Sequence, residues 1–366
     1  MELINATRMV AGYTMGLEPS GRELLVIVIK GTFALPKSGE QLRLHETQLP
    51  LVMADTFTGV PGFSAPVYEV DFAPTKRMCD VLLIGSAYAL GGRPATRVTV
   101  GLRVGPLTKT LEVVGDRVWQ AGVTINASDA QPFISKPMSY DVAFGGVDQE
   151  HEDPKHHAAY MPNPVGRGFR KHLKSAWVDG KPLPSTEEIG EPVTSPNGTY
   201  QPMSFGPIGR GWQPRSRFAG TYDQQWLDEV FPFLPKDFDE RYYQAAPADQ
   251  QIALPKAPLQ VALGNLTADG QRHFELPFFE APVNVFPKKG DREDYKATLD
   301  TIVLEPDQER ITMTWRVARP LKGNMFEVAQ VLVGRKGREW WQQREEVAFP
   351  IPVVMVPVSA EETARE

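Results

Sequence analysis

The segment from His151 to His157 combines three histidines with acidic neighbours, and these are residue types that bind zinc in hydrolases. The metalloprotease motif needs two histidines four positions apart on one helical face. His156 and His157 instead follow His151 by five and six positions, with Pro154 between them. A solvated polar loop is therefore the preferred interpretation, and a zinc site built by this loop stays open. No metal or other cofactor is expected.

The remaining motifs for catalysis or phosphate binding are weak. The sequence has no P-loop and no Gly-x-Ser-x-Gly elbow. Gly166-Arg-Gly168 and Gly209-Arg-Gly211 are better explained by turns with positive φ than by a phosphate cradle. Asp237 and Asp239 have the chemistry of a glycosidase pair, but surface carboxylates are common. Cys79 enters an apolar run and is predicted to be a buried structural thiol. These observations predict a protein that is not an enzyme.

The middle of the chain, from Tyr140 to Pro247, is dense in Gly, Pro, Trp, Tyr and Arg and has little apolar periodicity. Disordered segments are poor in aromatic residues, so an ordered, loop-built surface is expected. Trp, Tyr and Arg are enriched in the energetic centres of protein interfaces, but they also pack beneath irregular loops. The residues predicted to contact a partner are Trp119, Phe144, Asn163, Arg167, Phe169, Trp212, Arg215, Tyr222 and Trp226.

Short strands surround this segment. The clearest pattern is the alternation of apolar and polar residues over 98–104 and 107–113 around Gly105-Pro106, which predicts an antiparallel hairpin, with a wet end at Lys109. Further strands are predicted at 24–29, 80–84, 301–304 and 311–317, and short helices at 171–178, 237–246 and 338–346. The predicted fold is mainly β, with antiparallel sandwich- or barrel-like sheets, a long loop-rich central segment and few short helices.

Four regions are predicted along the chain. Residues 1–139 form an N-terminal β-rich region, and residues 140–250 form the Gly/Pro/aromatic loop region packed on it. Residues 251–358 form a C-terminal β-rich region, and residues 359–366 an acidic, frayed tail.

Composition excludes several classes of protein. The chain has 366 residues and a net charge of −6, so no general basic field favours nucleic acid or an anionic membrane. It shows no signal peptide and no apolar run long enough for stable membrane insertion. Its single cysteine excludes an intrachain disulfide. We therefore expect a cytoplasmic protein.

A series of short motifs resembles a known family. In order, they are Lys30–Phe33, Asp71–Lys76, Asp80–Gly85, Gly115–Trp119, Phe144–Gly146, Asn163–Gly168, Trp212–Arg215, Ala219–Tyr222 with Trp226, Leu234–Phe238, Ala246–Gln251, Asp300-Thr301 and Trp315-Arg316. Their order and spacing, over about residues 5–317, resemble the uncharacterised-domain (DUF-type) family that is encoded in bacterial type VI secretion clusters beside the VgrG spike protein.

The resemblance implies an adaptor or chaperone. Such a protein would bind a secreted effector, or its PAAR-type tip domain, in the cytoplasm and help load it onto VgrG, with possible contact to the spike itself. The family supplies no catalytic residues. Two alternatives remain open: a carbohydrate-binding or metal-dependent hydrolytic protein that uses the central loops, and a permanent structural component of the secretion apparatus.

Overall fold

The computed structural model describes residues 1–348, and these form a mainly β protein. The strands of the N-terminal third are β1 (Glu2–Asn5), β2 (Val10–Leu17), β3 (Glu23–Ala34), β4 (Arg43–Leu44), β5 (Thr56–Phe57), β6 (Pro66–Tyr68), β7 (Cys79–Leu83), β8 (Gly85–Tyr88), β9 (Arg97–Val104), β10 (Leu107–Val114), β11 (Trp119–Ala121), β12 (Ile125–Ala127) and β13 (Ser135–Met138). Those that follow are β14 (Phe144–Gly145), β15 (Val147–Asp148), β16 (Ala158–Ala159), β17 (Arg167–Gly168), β18 (Thr186–Glu187), β19 (Gln251–Ile252), β20 (Leu259–Gly264), β21 (Gln271–Leu276), β22 (Ala281–Pro287), β23 (Glu293–Glu305), β24 (Arg310–Pro320) and β25 (Val328–Val333). The predicted fold class is confirmed.

Helices are short in the described part of the chain. The α-helices are α1 (Ser175–Val178), α2 (Gln213–Ser216), α3 (Gln224–Glu229) and α4 (Arg338–Ala348). Single 3₁₀ turns occupy Leu90–Gly92, Tyr140–Val142, Pro154–His156, Glu240–Tyr243, Ala248–Gln250, Pro306–Gln308 and Met325–Glu327. No helix within residues 1–348 is long and apolar enough to cross a lipid bilayer.

The larger sheet joins both ends of the described chain. Its strands follow the order β1-β25-β22-β23-β24-β3-β2. In addition, β7 pairs in parallel with β23, β19 pairs with β7, and β4 pairs with β3. β1 and β2, the two ends of this order, contact each other, so the sheet nearly closes on itself. The longest pairing aligns β24 with β3, from Arg310 beside Ala34 to Pro320 beside Leu24. The N-terminal and C-terminal β-rich segments thus share one sheet.

The second sheet contains the predicted hairpin. Its strand order is β18-β10-β9-β20-β21, and Leu107 pairs with Val104 across the turn. Apolar side chains of β9 and β10 alternate with exposed polar ones and belong to the same core cluster as those of β3, β23 and β24. The expected wet end at Lys109 is wrong. Lys109 is buried, and its Nζ donates to Gln250 Oε1 at 2.8 Å and contacts Asp249 at 2.9 Å.

The short helices agree less well with the sequence prediction. The helix predicted at 338–346 forms as α4, but the helix predicted at 171–178 shortens to the single turn α1. The segment predicted at 237–246 holds only a 3₁₀ turn at Glu240–Tyr243. Neither of these two segments has the amphipathic pattern that stabilises a longer helix by packing. The predicted frayed tail, residues 359–366, lies outside the described residues, and the four-region division stays a prediction.

Candidate functional site

The central loops are fixed to the larger sheet by a buried carboxylate. Asp80, on β7, is fully buried and accepts hydrogen bonds from Gln244 Nε2 at 2.7 Å and from the Ala245 amide at 2.9 Å. Lys76 Nζ lies 2.6 Å from the same carboxylate and donates to Thr301 Oγ1 at 3.0 Å. Asp80 thus joins β7 to the end of the loop region, and Lys76 links the Asp80 carboxylate to Thr301 on β23.

A second buried ion pair holds the segment before β7. Arg316 Nε lies 2.6 Å from Asp300 Oδ2, and Arg316 Nη1 donates to the carbonyls of Asp71 and Ala73 at 2.6 and 2.8 Å. The Asp71 carboxylate lies 3.0 Å from Lys30 Nζ. These residues fall in four of the short motifs found in the sequence, so those motifs help to build the scaffold.

An aromatic cluster supports the first half of the loops. Trp119 is fully buried, and its Nε1 donates to the Gly168 carbonyl at 3.0 Å. The Phe144 ring packs edge-to-face against Tyr160 and Tyr200, with centroids 5.0 and 4.8 Å apart. Phe169, which is partly exposed, lies at the margin of the same cluster. Trp119 and Phe144 therefore hold the loops in place in this structure.

Asn163 acts as a backbone clamp. Its Nδ2 donates to the carbonyls of Tyr140 and Phe144 at 2.8 and 3.1 Å, and the residue is fully buried. A Cβ on Gly145 would lie 2.1 Å from the Asn163 carbonyl oxygen, and Gly145 has a φ of 151°. Glycine is therefore required where these two segments approach each other.

Arg167 also has a mainly internal role. It is partly exposed and donates from Nη2 to Ser185 Oγ, and the same nitrogen lies 3.5 Å from Asp116 Oδ1. Burial lowers the pKa of Arg167, and the Asp116 carboxylate opposes that shift. The Arg167 side chain is 25% exposed, so part of it remains open to solvent.

Trp212 and Arg215 form the second internal cluster. The Trp212 ring packs edge-to-face on Tyr140 at 5.2 Å between centroids. Arg215 is 1% exposed, donates from Nε to the Tyr242 carbonyl at 2.7 Å, and pairs through Nη1 with Glu69. Five of the nine predicted partner-contact residues are thus buried: Trp119, Phe144, Asn163, Trp212 and Arg215. Partner contact by the nine-residue set stays a prediction.

Tyr222 and Trp226 belong to an exposed apolar patch. We call the side chains of Tyr222, Trp226, Leu227, Phe231 and Phe233 the aromatic face. Tyr222 is 55% exposed and Phe231 is 62% exposed, whereas Trp226 is partly buried between them, with ring centroids 4.8 and 5.6 Å away.

Local hydrogen bonds fix the shape of this face. Asp223 caps α3 by accepting the Trp226 amide at 2.9 Å, and Trp226 Nε1 donates to the Phe233 carbonyl at 2.9 Å. Thr221 is tied to Asp237 by two hydrogen bonds, of 2.9 and 2.8 Å. The aromatic face is therefore preorganised, which lowers the entropy cost of binding.

A groove adjoins the loop that carries the aromatic face. Its volume is about 610 Å³, and we call it the arginine groove. The buried residues Tyr140, Met203, Ile208 and Arg215 line its base, and Arg217, Phe218 and Arg241 line its mouth. Burial, with a smaller contribution from the charge of Asp249, raises the pKa of Tyr140, which stays a neutral phenol. The sequence motif Trp212–Arg215 marked this region, but nothing in the sequence showed that its sides form a groove.

A separate cavity of about 480 Å³ lies beside the 3₁₀ turn Pro306–Gln308. Tyr68, Glu305 and Arg310 line it, and they pair with one another: Arg310 Nε donates to Glu305 Oε2 at 2.9 Å, and the Tyr68 hydroxyl donates to Glu305 Oε1. Burial and the Glu305 carboxylate raise the pKa of Tyr68 to about 12. These polar groups form hydrogen bonds with one another, so the surface that the cavity offers to a ligand is mainly apolar.

In the structure, His172 lies beside the histidine-rich loop, although it is not part of that segment of the sequence. The rings of His151 and His156 have centroids 4.3 Å apart, and the His172 ring lies 5.7 Å from that of His151. His157 instead bonds the His151 carbonyl through Nε2 at 2.9 Å. Among the side chains that the structure describes, no group of three His, Cys, Asp or Glu has a geometry that would hold a metal ion.

Cys79 is buried, as predicted. Burial, together with the charges of Asp300 and Asp80, raises the pKa of its thiol well above the ordinary value. A neutral, enclosed thiol is a poor nucleophile.

Comparison with protein families gives one match. A family model described as "Uncharacterized protein conserved in bacteria (DUF2169)" matches residues 20–316. The chain belongs to this family. No curated protein and no solved structure matched the chain. The expected membership of an uncharacterised bacterial family is confirmed. The family description gives no function, so the link to type VI secretion stays a prediction.

Proposed function

We propose that this chain is a non-enzymatic adaptor or chaperone that binds a type VI secretion effector, or the effector's PAAR-type domain, and helps load it onto the VgrG spike. The adaptor would act in the cytoplasm and release its client at loading. The proposal rests on the order of the family motifs in the sequence, and the observation that supports it most is the aromatic face. We refer below to the bound effector or PAAR-type domain as the client.

The aromatic face has the properties of an interface centre. Tyr222, Leu227 and Phe231 expose apolar side chains, while the local hydrogen bonds around α3 hold their loop in one shape. Trp and Tyr supply large rigid contact areas in protein interfaces. Truncation of one such anchor costs about 2 kcal/mol or more of binding free energy.

The buried positions support the same proposal indirectly. Trp119, Phe144 and Trp212 fill the space under the loops, so the loops hold their shape without long helices. A rigid platform presents its exposed side chains at a low entropy cost. An adaptor benefits from this low entropy cost, because its function is to bind its client rather than to catalyse a reaction.

The test is co-expression of this chain with the effector and VgrG proteins that the proposal expects to be encoded beside it. The proposal predicts that the effector co-purifies with this chain and that its soluble yield falls when this chain is omitted. An effector that neither co-purifies nor depends on this chain for its yield would contradict the proposal. Permanent presence of this chain in purified spikes would favour a structural component instead.

A further inference from the structure

The base of the arginine groove contains a buried cation whose hydrogen bonds are incomplete. Arg215 uses Nε for the Tyr242 carbonyl and Nη1 for Glu69 and the Ile208 carbonyl. Its Nη2 is buried and has no acceptor among the described residues. A buried donor of a charged group without an acceptor costs free energy. Nη2 has almost no accessible surface in this structure, so a ligand oxygen that accepts from it requires the side chain to shift toward the groove.

The mouth of the groove holds a second available guanidinium group. Arg217 is exposed, and its Cζ lies 4.7 Å from the centre of the Phe218 ring. Arg241 lies 4.2 Å from the centre of the same ring, and its Nη2 is 2.6 Å from Asp239 Oδ2. No hydrogen bond or ion pair with another described side chain engages the Arg217 guanidinium. The ring holds Arg217 at the mouth, and the guanidinium remains free to bind a carboxylate.

The other charges of the groove decide what kind of ligand fits. Asp249 is neutralised by Lys109 at 2.9 Å. Glu188 also lines the groove, and its carboxylate makes no hydrogen bond or ion pair with the described residues. The volume of about 610 Å³ greatly exceeds the space that one small anion needs. An extended polypeptide segment fits this size, since it carries both an acidic side chain and backbone N–H donors for Glu188.

We propose that the arginine groove binds an extended acidic segment of the client. A carboxylate of the segment pairs with Arg217 at the mouth, and a second oxygen of the segment accepts from Arg215 Nη2 at the base. This inference rests on the adaptor proposal and deepens it, because it assigns the chemistry of one client contact. The aromatic face supplies apolar area, and the groove selects charge and register.

A peptide selection on the full-length protein tests the inference. The probe is a phage-displayed library of random short peptides, and selected sequences are synthesised for measurement of Kd. We expect selected peptides to carry Asp or Glu. Replacement of that residue by its amide, or the substitution Arg217→Glu, should weaken binding by about tenfold or more.

The controls separate charge at the groove from net charge. Arg93→Glu makes the same charge change at another exposed arginine and should leave the peptide Kd unchanged. Arg217→Lys keeps the positive charge and should retain most of the affinity. Failure to select acidic peptides, or equal losses in Arg217→Glu and Arg93→Glu, would overturn the inference.

The client itself distinguishes this inference from the adaptor proposal. If Arg217→Glu retains the co-purified client in full, the groove assignment fails and the adaptor proposal stands. If acidic peptides bind in the groove but no client ever co-purifies, the groove assignment stands as an acidic-peptide site and the adaptor proposal fails.

Discussion

The substitution Asp80→Ala should detach the central loops from the sheet. It leaves three donors without the carboxylate: Lys76 Nζ at 2.6 Å, Gln244 Nε2 at 2.7 Å and the Ala245 amide at 2.9 Å. Removal of one partner from a buried ion pair costs about 3–5 kcal/mol. Lys76 keeps its hydrogen bond to Thr301, so we expect a loss of about 4 kcal/mol in the free energy of unfolding. That is a large part of the stability of an ordinary domain.

Urea unfolding of the full chain, followed by tryptophan fluorescence and circular dichroism, measures this loss. The matched control is Asp239→Ala, which removes a carboxylate from the same loop region, where Asp239 pairs with the exposed Arg241 and caps a 3₁₀ turn. The control should cost about 1 kcal/mol. Hydrogen exchange at the Ala245 amide should speed up in Asp80→Ala and stay slow in the control. Equal losses in the two variants would refute the anchoring role.

Two further predictions concern the loops and the sheet. Gly145→Ala should lower stability by about 2 kcal/mol or more, because its Cβ would lie 2.1 Å from the Asn163 carbonyl; Gly211→Ala, with open space around its Cβ, should leave Tm nearly unchanged. The hydrogen bond from Arg319 lowers the pKa of Glu293 to about 2 from 4.5. This depressed pKa stabilises the fold fully above pH 4.5, and the stabilisation is lost as the pH falls toward 2. As the pH falls from 4.5 toward 2, the native chain should therefore lose about 1 kcal/mol more of its free energy of unfolding than Glu293→Gln loses, a value reduced for solvent screening. Equal losses in the two proteins would contradict the assignment.

Local patterns in the sequence predicted the strands well. The alternation over 98–104 and 107–113 identified the hairpin of β9 and β10, because residues on one face of a strand repeat every second position. The apolar run at 24–29 found only the first half of β3, which continues to Ala34. Lys30 and Thr32 lie in that extension and are buried with polar partners. Because both are polar, they end the apolar pattern that predicted the strand.

The candidate site was harder to predict. Pairing of β3 with β24 joins residues almost three hundred positions apart, and no local pattern records such a register. Large rings and guanidinium groups serve both interfaces and loop interiors, so composition alone did not separate Trp212 and Arg215, which are buried, from Tyr222, which is exposed. His172 joined the histidine cluster only through folding.

The central claim is that the aromatic face binds the client, and one measurement tests it most directly. Client recovery is measured with this chain carrying Tyr222→Ala, Leu227→Ala and Phe231→Ala together. The matched control carries Phe63→Ala, Leu90→Ala and Phe326→Ala, which remove three other exposed apolar side chains. Thermal unfolding of both triple variants first establishes that they remain folded. We predict that the control retains the client and that the aromatic-face variant binds it about thirtyfold more weakly or worse, a loss of about 2 kcal/mol or more. Full client recovery by a folded aromatic-face variant would contradict the account.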